Sequence, residues 1–129
     1  MVANATRIII IGAGIGGLAA GLALQRRGFR VVVYERAPEI REIGAGVVIA
    51  PNARRALRDL GVDEKLEAIS SCVPGLHTCD YATGALVATT DNRQVLAQHG
   101  MGVLQVHRAD LHGLLLEAVR ANDPSALHA

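Results

Sequence analysis

Aromatic residues are scarce in this chain, which has no tryptophan, one phenylalanine and two tyrosines among its 129 residues. A platform on which nucleic-acid bases stack needs more rings than that. A surplus of basic charge is also lacking, because the formal net charge is +1 and the basic pairs Arg26-Arg27 and Arg54-Arg55 stand apart. The composition therefore gives no indication of nucleic-acid binding.

Cysteine is almost as rare. Cys72 and Cys79 are too few for a disulfide framework or a four-cysteine zinc site. Four histidines are scattered without metal-ligand spacing, namely His77, His99, His112 and His128. We expect two reduced, partly buried thiols in a cytoplasmic protein, and no metal site.

A long membrane-spanning run is missing too. Ile8–Leu24 comprises 17 uncharged residues, whereas a transmembrane helix usually needs about 20 apolar residues. Five glycines interrupt this run. A strand, a glycine turn and a helix explain it better than a signal peptide or a membrane span.

The pattern of apolar residues predicts an α/β fold that opens with a Rossmann-like βαβ unit. Arg7–Ile11 has the β-branched composition of a strand buried on both faces. A helix from Ile15 to about Arg27 follows and is ended by Gly28, and Arg30–Tyr34 forms a second buried strand. The unit is about 30 residues long, and its strands are therefore expected to be parallel.

The remainder of the chain carries a mixed pattern. The predicted elements are a loop over Ala37–Ala45, extended segments over Gly46–Ile49 and Val103–His107, helices over Pro51–Leu60, Asp63–Ile69 and Asp110–Ala121, and a β-hairpin over residues 75–90 with its turn at Ala82–Gly84. Residues 91–102 are ambiguous. Two parallel strands and the start of a third are fewer than a doubly wound sheet usually has, so we expect the front part of a larger, incomplete fold.

The turn after the first strand carries the main functional signal. Gly12-Ala13-Gly14-Ile15-Gly16-Gly17 fits the pattern G-x-G-x-x-G, and Glu35 ends the second strand 18 residues after Gly17. Gly12 allows a tight turn, Gly14 lets the backbone approach a pyrophosphate, and Gly17 lets helix and strand pack closely. The helix N-terminus attracts phosphate.

The acid at the end of the second strand suggests which nucleotide is preferred. The Glu35 carboxylate can accept hydrogen bonds from both ribose hydroxyls of an adenosine and should repel a 2′-phosphate. FAD or NAD is therefore favoured over NADP. The fingerprint alone does not separate FAD from NAD.

Segments beyond the fingerprint resemble those of the single-component flavin monooxygenases that hydroxylate aromatic rings, such as salicylate hydroxylase and 3-hydroxybenzoate 6-hydroxylase. The segments are YERA at 34–37, REIGAGV at 41–47, PNA at 51–53, LRDLG at 57–61 and VHRADL at 106–111. The resemblance runs from about Arg7 to about Ala121. It implies that residues 1–129 are the N-terminal part of an FAD-binding domain, and that the hairpin over residues 75–90 resembles the start of the substrate domain.

The resemblance also implies roles for particular residues. The pyrophosphate would be lined by Gly12, Gly14, Ile15 and Gly17, and the adenosine ribose and its surroundings would be held by Glu35 and Arg36. The isoalloxazine would lie close to the backbone at Gly46, Val47 and Val48. Arg108 would reach towards the pyrophosphate and ribityl chain. His107 is expected to be structural. Val48 lies near the point at which some relatives have a catalytic histidine, so no catalytic residue is identified in this chain.

The implied activity is that of an FAD-dependent monooxygenase. NAD(P)H would be the co-substrate, and a small phenolic or benzoate-like ring and O2 would be the other reactants. The 129 residues alone are expected to bind FAD partially or not at all, and not to hydroxylate, because two further cofactor motifs and most of the substrate domain of the family are absent from them. The oligomeric state is left open.

Three alternatives share parts of this pattern. One is an NAD-binding domain of a dehydrogenase, which explains the fingerprint and Glu35 but not Arg108. Another is a non-catalytic remnant that serves in assembly. The third is another flavoprotein, such as an amine oxidase or a disulfide reductase, although no redox-active cysteine pair of the reductase kind is present.

Overall fold

The structure, a computed structural model, describes residues 6–39 and 44–129. Its elements in chain order are β1 (Arg7–Ile11), α1 (Ile15–Arg26), β2 (Arg30–Tyr34), β3 (Gly46–Ile49), α2 (Pro51–Asp59), α3 (Asp63–Ile69), β4 (Gly75–Cys79), β5 (Leu86–Asp91), α4 (Asn92–His99), β6 (Leu104–His107), α5 (Arg108–Asn122) and β7 (Leu127–His128). The predicted α/β class is therefore confirmed. Among the twelve predicted bounds of the first six elements, only the ends of α1 and α2 differ, and each by one residue.

The βαβ unit has the predicted topology. β1 and β2 pair in parallel, with Ile9 opposite Val32. Gly28, which follows the end of α1, has a φ of +83°, a conformation that glycine adopts without steric cost. The chain can therefore reverse sharply between α1 and β2.

A third strand joins the parallel sheet, in the order β1-β2-β7. β7 joins β2 through short pairing in which the Val33 N–H donates to the Ala126 carbonyl at 2.7 Å and the Glu35 N–H donates to the His128 carbonyl at 2.8 Å. The sequence analysis assigned no strand to these last residues. A strand of two residues is too short to produce an alternating pattern of apolar and polar residues.

The predicted burial of both faces of β1 is wrong within the described chain. Ile9 is 53% exposed and Ile11 is 81% exposed. Ile10 instead faces α1, because its side chain lies within 3.6 Å of the Cβ position at Gly21. β1 lies at an edge of the sheet, and α1 covers only one of its faces. In β2, by contrast, Val31, Val32 and Val33 are all buried, as predicted.

The ambiguous segment at 91–102 contains a helix. Asp91 caps α4, since its side chain accepts a hydrogen bond from the Arg93 N–H at 2.8 Å. Gly100 ends the helix in the left-handed conformation, with a φ of +69°. An aspartate at the N-cap and a glycine after the last turn are standard helix boundary signals, so the sequence contained the information needed to assign α4.

The hairpin predicted over residues 75–90 is present as β4 and β5, an antiparallel pair. Its turn is held by Asp80, whose Oδ1 accepts hydrogen bonds from the N–H groups of Ala82 and Thr83. Both cysteines are free and exposed, so the predicted partial burial of their thiols is wrong. Cys72 lies outside the regular elements, and Cys79 ends a strand with mostly exposed residues.

The hydrophobic core lies between the parallel sheet, α1, α3 and α5. Its largest fully buried side chains are Leu18, Leu22, Val31, Val33, Leu66, Leu115 and Val119. α5 begins two residues earlier than the sequence predicted, at Arg108. Within residues 6–39 and 44–129, no helix has the length and apolar character needed to cross a membrane.

Candidate functional site

The glycine loop leaves β1 through a turn at Gly12. Gly12 has a φ of +99°, which side-chain-bearing residues rarely adopt. Its N–H donates to the Tyr34 carbonyl at 2.7 Å, so the loop starts at the carboxyl end of both β1 and β2. This is the edge at which ligands bind in open α/β sheets.

Gly17 brings α1 against this loop. A Cβ atom at Gly17 would overlap the Gly12 carbonyl oxygen and would lie 3.4 Å from Cγ2 of Ile10. The close packing of helix and strand that was expected at this glycine is therefore present. It fixes the start of α1 directly over the turn.

Gly14 differs from Gly17, because no atom lies within 4 Å of the position that its Cβ would occupy. Gly14 is also the N-cap of α1, where no side chain makes a capping hydrogen bond and no acidic residue stands in the first turn. A helix N-terminus carries N–H groups without intrahelical partners and a partial positive charge. The space beside Gly14 is therefore open, and the helix N-terminus there favours an anionic ligand.

Glu35 is tied to the same loop. Its Oε2 accepts a hydrogen bond from the Ala13 N–H at 2.8 Å, and its Oε1 accepts one from the Ala37 N–H at 2.9 Å. Both bonds lower the pKa of the Glu35 carboxyl, and the bond from Ala37 has the larger effect. The charge of the exposed Arg36 acts in the same direction. The group is thus ionised at neutral pH. A carboxylate has about four lone-pair positions, so two backbone bonds leave capacity for ribose hydroxyls.

A second segment reaches this region through the antiparallel pair β3–β6. Gly46 lies opposite His107 and Val47 lies opposite Val106. The Arg108 N–H donates to the Ala45 carbonyl at 3.1 Å. Two segments that the sequence analysis singled out are therefore adjacent, although about 60 residues separate them in the chain.

The Arg108 side chain runs alongside this segment. A Cβ atom at Gly44 would lie 3.1 Å from Cδ of Arg108, so glycine leaves room for the arginine stem there. His107 caps α5, because its Nδ1 accepts a hydrogen bond from the Ala109 N–H at the start of that helix. The motif residues Arg41, Glu42 and Ile43 lie outside the described residues.

α5 links Arg108 to the glycine loop through a residue that the sequence analysis did not select. His112 is 3% exposed, and its Nε2 lies 2.7 Å from the Ala13 carbonyl oxygen. Arg108 and His112 are four residues apart, hence one turn apart on one face of the helix. That spacing was visible in the sequence. The contact with Ala13 could not be inferred from the sequence, because 99 residues separate the two.

The two valines of β3 face opposite sides. Val47 is partly buried and packs against the core, whereas Val48 is 54% exposed, as alternation along a strand requires. In the part of the chain that the structure describes, no group of three or more histidine, cysteine or acidic side chains could hold a metal ion.

Comparison with known proteins places this geometry in context. Residues 10–41 match the family described as NAD(P)-binding Rossmann-like domain. 3-Hydroxybenzoate 6-hydroxylase 1 of Aquipseudomonas alcaligenes is 45% identical over 112 residues, which are 86% of this chain and 28% of that protein. 6-Hydroxynicotinate 3-monooxygenase of Pseudomonas fluorescens is 37% identical over 114 residues, which are 88% of this chain and 30% of that protein.

Solved structures agree with these relatives. The tetrameric form of 2-methyl-3-hydroxypyridine-5-carboxylic acid oxygenase superimposes with a TM-score of 0.82 at 25% identity, over 98% of this chain and 31% of that one. HpxO of Klebsiella pneumoniae, in a complex with FAD and uric acid, gives a TM-score of 0.78 at 25% identity, over 98% of this chain and 31% of that one. The chain matches the N-terminal part of the FAD-dependent aromatic hydroxylases.

The chain spans about 30% of the length of the relatives it matches. The likeness extends well beyond the fingerprint, because it covers nearly nine-tenths of the chain or more. The segments around Gly44 and Arg108 therefore belong to the matched region together with the glycine loop.

A separate cavity of about 420 Å³ lies away from the glycine loop. It is bordered by Arg54, which is 6% exposed and is paired with Asp63 and Glu67. None of the residues predicted to bind the cofactor lines this cavity. This cavity is thus distinct from the candidate site, which is an open surface at the end of the sheet.

Proposed function

We propose that this chain binds the ADP portion of FAD at the carboxyl end of β1 and β2. The observation that carries the proposal is the contact of α5 with the glycine loop, through His112 and Ala13. Arg108 stands one turn earlier on the same helix, which supports a role for it beside Gly14 and Glu35. A site with a helix N-terminus, a carboxylate and an arginine matches the pyrophosphate and ribose of such a cofactor.

Each predicted residue has a part in this proposal. Gly14 and Ile15 would present backbone N–H groups to the pyrophosphate, while Gly12 and Gly17 shape the loop that carries them. The ionised Glu35 would accept the ribose hydroxyls, with Arg36 beside it. Arg108 would bind phosphate oxygens, for which a planar and permanently charged guanidinium is well suited. The backbone at Val47 and Val48 would pass close to the flavin ring.

The activity proposed for a protein that carries this unit is NAD(P)H-dependent hydroxylation of a small aromatic ring by O2, in the cytoplasm. Bound flavin would supply the redox chemistry, and the protein would orient it and exclude water. The proposed contribution of this chain is binding and orientation. A substrate base is not assigned to it, because Val48 is apolar. The names of the relatives point to phenolic, benzoate-like and pyridine-type rings.

The hairpin β4–β5 fits the start of a substrate domain. Residues 81–90 are all exposed, and Leu86 and Val87 are 61% and 67% exposed. A two-stranded hairpin is only marginally stable by itself, and an apolar surface of this kind is usually covered in a complete fold. We propose that further strands of a substrate sheet pack on it in a protein of the relatives' length.

An NAD-binding domain is the second candidate, favoured by the family match over residues 10–41. That match covers only the βαβ unit, which NAD and FAD sites share. It leaves the Gly44–Arg108 contact and the β3–β6 pair without a role. Competition between the two nucleotides therefore discriminates between the candidates.

The test is a titration of the purified chain with FAD, NAD and FMN, followed by flavin fluorescence or by calorimetry. We expect saturable binding of FAD and none of FMN, which lacks the ADP portion. Glu35→Gln should weaken FAD binding at least tenfold, since a neutral amide accepts hydrogen bonds less strongly than a carboxylate. Glu117→Gln, an exposed position on α5, is the charge-matched control and should bind as the unmodified chain does.

Three outcomes would count against the proposal. Absence of FAD binding by a chain that melts cooperatively would remove the function from these residues. Equal binding of NAD and FAD would favour the dehydrogenase reading. With FAD bound, NADH and 3-hydroxybenzoate should give no hydroxylated product from these 129 residues alone, and product formation would show that the chain contributes more than cofactor binding.

A further inference from the structure

His112 is a buried imidazole with a specific partner. It lies on the second turn of α5, is 3% exposed, and places Nε2 at 2.7 Å from the Ala13 carbonyl oxygen, 99 residues away in the chain. A carbonyl oxygen can only accept, so Nε2 carries the hydrogen and donates it. Neither the glycine fingerprint nor the Glu35 contact requires a histidine at this point.

The residue that His112 contacts is held from both sides. Ala13 is 2% exposed, and its N–H donates to Oε2 of Glu35 at 2.8 Å. Its carbonyl lies between the end of β1 at Ile11 and the N-cap of α1 at Gly14, so neither the strand ladder nor the helix supplies a donor. A buried carbonyl without a donor is costly. His112 removes that cost.

The orientation of the Ala13 carbonyl also fixes the orientation of the Gly14 N–H, because both belong to one peptide bond. In a planar trans peptide, the C=O of one residue and the N–H of the next point in opposite directions. Because His112 holds the Ala13 carbonyl towards α5, the Gly14 N–H points away from α5. The space beside Gly14 is open, with no atom within 4 Å of its Cβ position.

We infer that His112 is a positioning residue of the nucleotide site, which aims the Gly14 N–H at the pyrophosphate by holding the Ala13 carbonyl. The inference rests on the proposed binding of FAD at the glycine loop. It assigns a role to a side chain that does not itself touch the cofactor. A donor group at position 112 is the chemical requirement.

If the His112 contact served only to hold α5 in the fold, its loss would displace the helix. α5 is attached to α1 at its other end, where Nε2 of Gln25 donates to the Val119 carbonyl at 3.4 Å. Leu115 and Val119 are completely buried in the core. The helix therefore keeps its place without the His112 contact, and loss of that contact should affect the loop more than the fold.

The experiment compares three variants of the chain. His112→Leu removes the donor, His112→Gln keeps an amide donor, and Leu115→Ala disturbs α5 one turn away from the loop. For each, the FAD dissociation constant is measured at a temperature well below the melting temperature. Amide hydrogen exchange of the chain without ligand is followed by NMR at Ala13, with Val33 in the sheet as internal reference, since its N–H donates to Ala126.

Loss of the donor should weaken FAD binding about tenfold or more and should speed exchange at Ala13 relative to Val33. His112→Gln should recover most of the affinity. Leu115→Ala should lower the melting temperature while retaining the FAD affinity. This combination would separate positioning from stability.

Two results would overturn the inference. One is an FAD affinity for His112→Leu equal to that of the unmodified chain. The other is an Ala13 exchange rate, relative to Val33, that His112→Leu leaves unchanged. If the unmodified chain does not bind FAD, the proposed function fails on its own, and the exchange measurement still decides whether His112 orders the loop.

Discussion

Replacement of Gly17 by alanine gives a sharp test of how α1 is seated. A Cβ atom there would overlap the Gly12 carbonyl oxygen and would lie 3.2 Å from the Gly12 carbonyl carbon. Both obstructing atoms belong to the backbone, so no side-chain rotation relieves the overlap. Overpacking of this kind costs up to about 3 kcal/mol, while alanine in place of glycine returns about 1 kcal/mol of helix propensity.

The expected net effect of Gly17→Ala is a loss of about 2 kcal/mol in the free energy of unfolding. For a chain of this size, that loss corresponds to a decrease of roughly 5–10 °C in Tm. Two neighbouring glycines serve as matched controls, because no atom lies within 4 Å of a Cβ at Gly16 or at Gly14. Gly16→Ala should leave Tm unchanged or raise it slightly.

The Gly14 control separates packing from ligand contact. Gly14→Ala should cost less than about 1 kcal/mol of stability, mainly through the weaker N-cap, but it should weaken FAD binding because the new methyl group occupies the proposed pyrophosphate space. Thermal and urea unfolding followed by far-UV circular dichroism measure the first effect, and FAD titration measures the second. A Tm for Gly17→Ala at or above that of the unmodified chain would refute the packing argument.

Three further predictions concern the core, a buried amide and the acid of the loop. Leu115→Ala should lower the free energy of unfolding by about 2–5 kcal/mol, measured by urea titration, and an unchanged midpoint would show that α5 is not packed as described. Asn92→Ala should cost about 2–4 kcal/mol in the same assay, because the Asn92 side chain bonds the Val73 carbonyl and both the N–H and the carbonyl of Val103; Asn92→Asp should recover little, since a carboxylate cannot donate to those carbonyls. The backbone hydrogen bonds that lower the Glu35 pKa stabilise its ionised form. Their contribution to stability is therefore present above the ordinary pKa of 4.5 and is lost as the pH falls through the lowered pKa. FAD affinity should decline over that acid range in the unmodified chain, and an equally steep decline in Glu35→Gln would assign the titration to another group.

The sequence predicted the βαβ unit well because every local signal there agrees. β-branched runs, glycine at both turns and an acid at the end of β2 all point to one topology, and β1 and β2 have the predicted bounds. The pattern also assigned a separate role to each glycine of the loop, but it gave no contacts for them. Contact geometry distinguishes Gly17, which meets a carbonyl, from Gly14, which meets open space.

Features that depend on distant partners were not predictable in the same way. β7 forms because β2 offers an open edge to Leu127 and His128, and nothing within two residues encodes that pairing. The exposure of Ile9 and Ile11 depends on which faces of β1 other elements cover. His112 looked like one of several scattered histidines, since its partner lies 99 residues away.

α5 contributes to both the candidate site and the hydrophobic core, so ligand binding and the stability of the fold are coupled through this helix. The first turns of the helix carry Arg108 and His112, while Leu115 and Val119 further along are completely buried. The loop geometry that the proposed ligand needs is therefore assembled only when α5 is packed. A ligand that binds only the folded state stabilises it by mass action, by about 2.7 kcal/mol at a free concentration one hundred times the dissociation constant. FAD should accordingly raise the Tm of the chain, and the increase should be smaller in His112→Leu, where α5 stays in the core but no longer holds the loop.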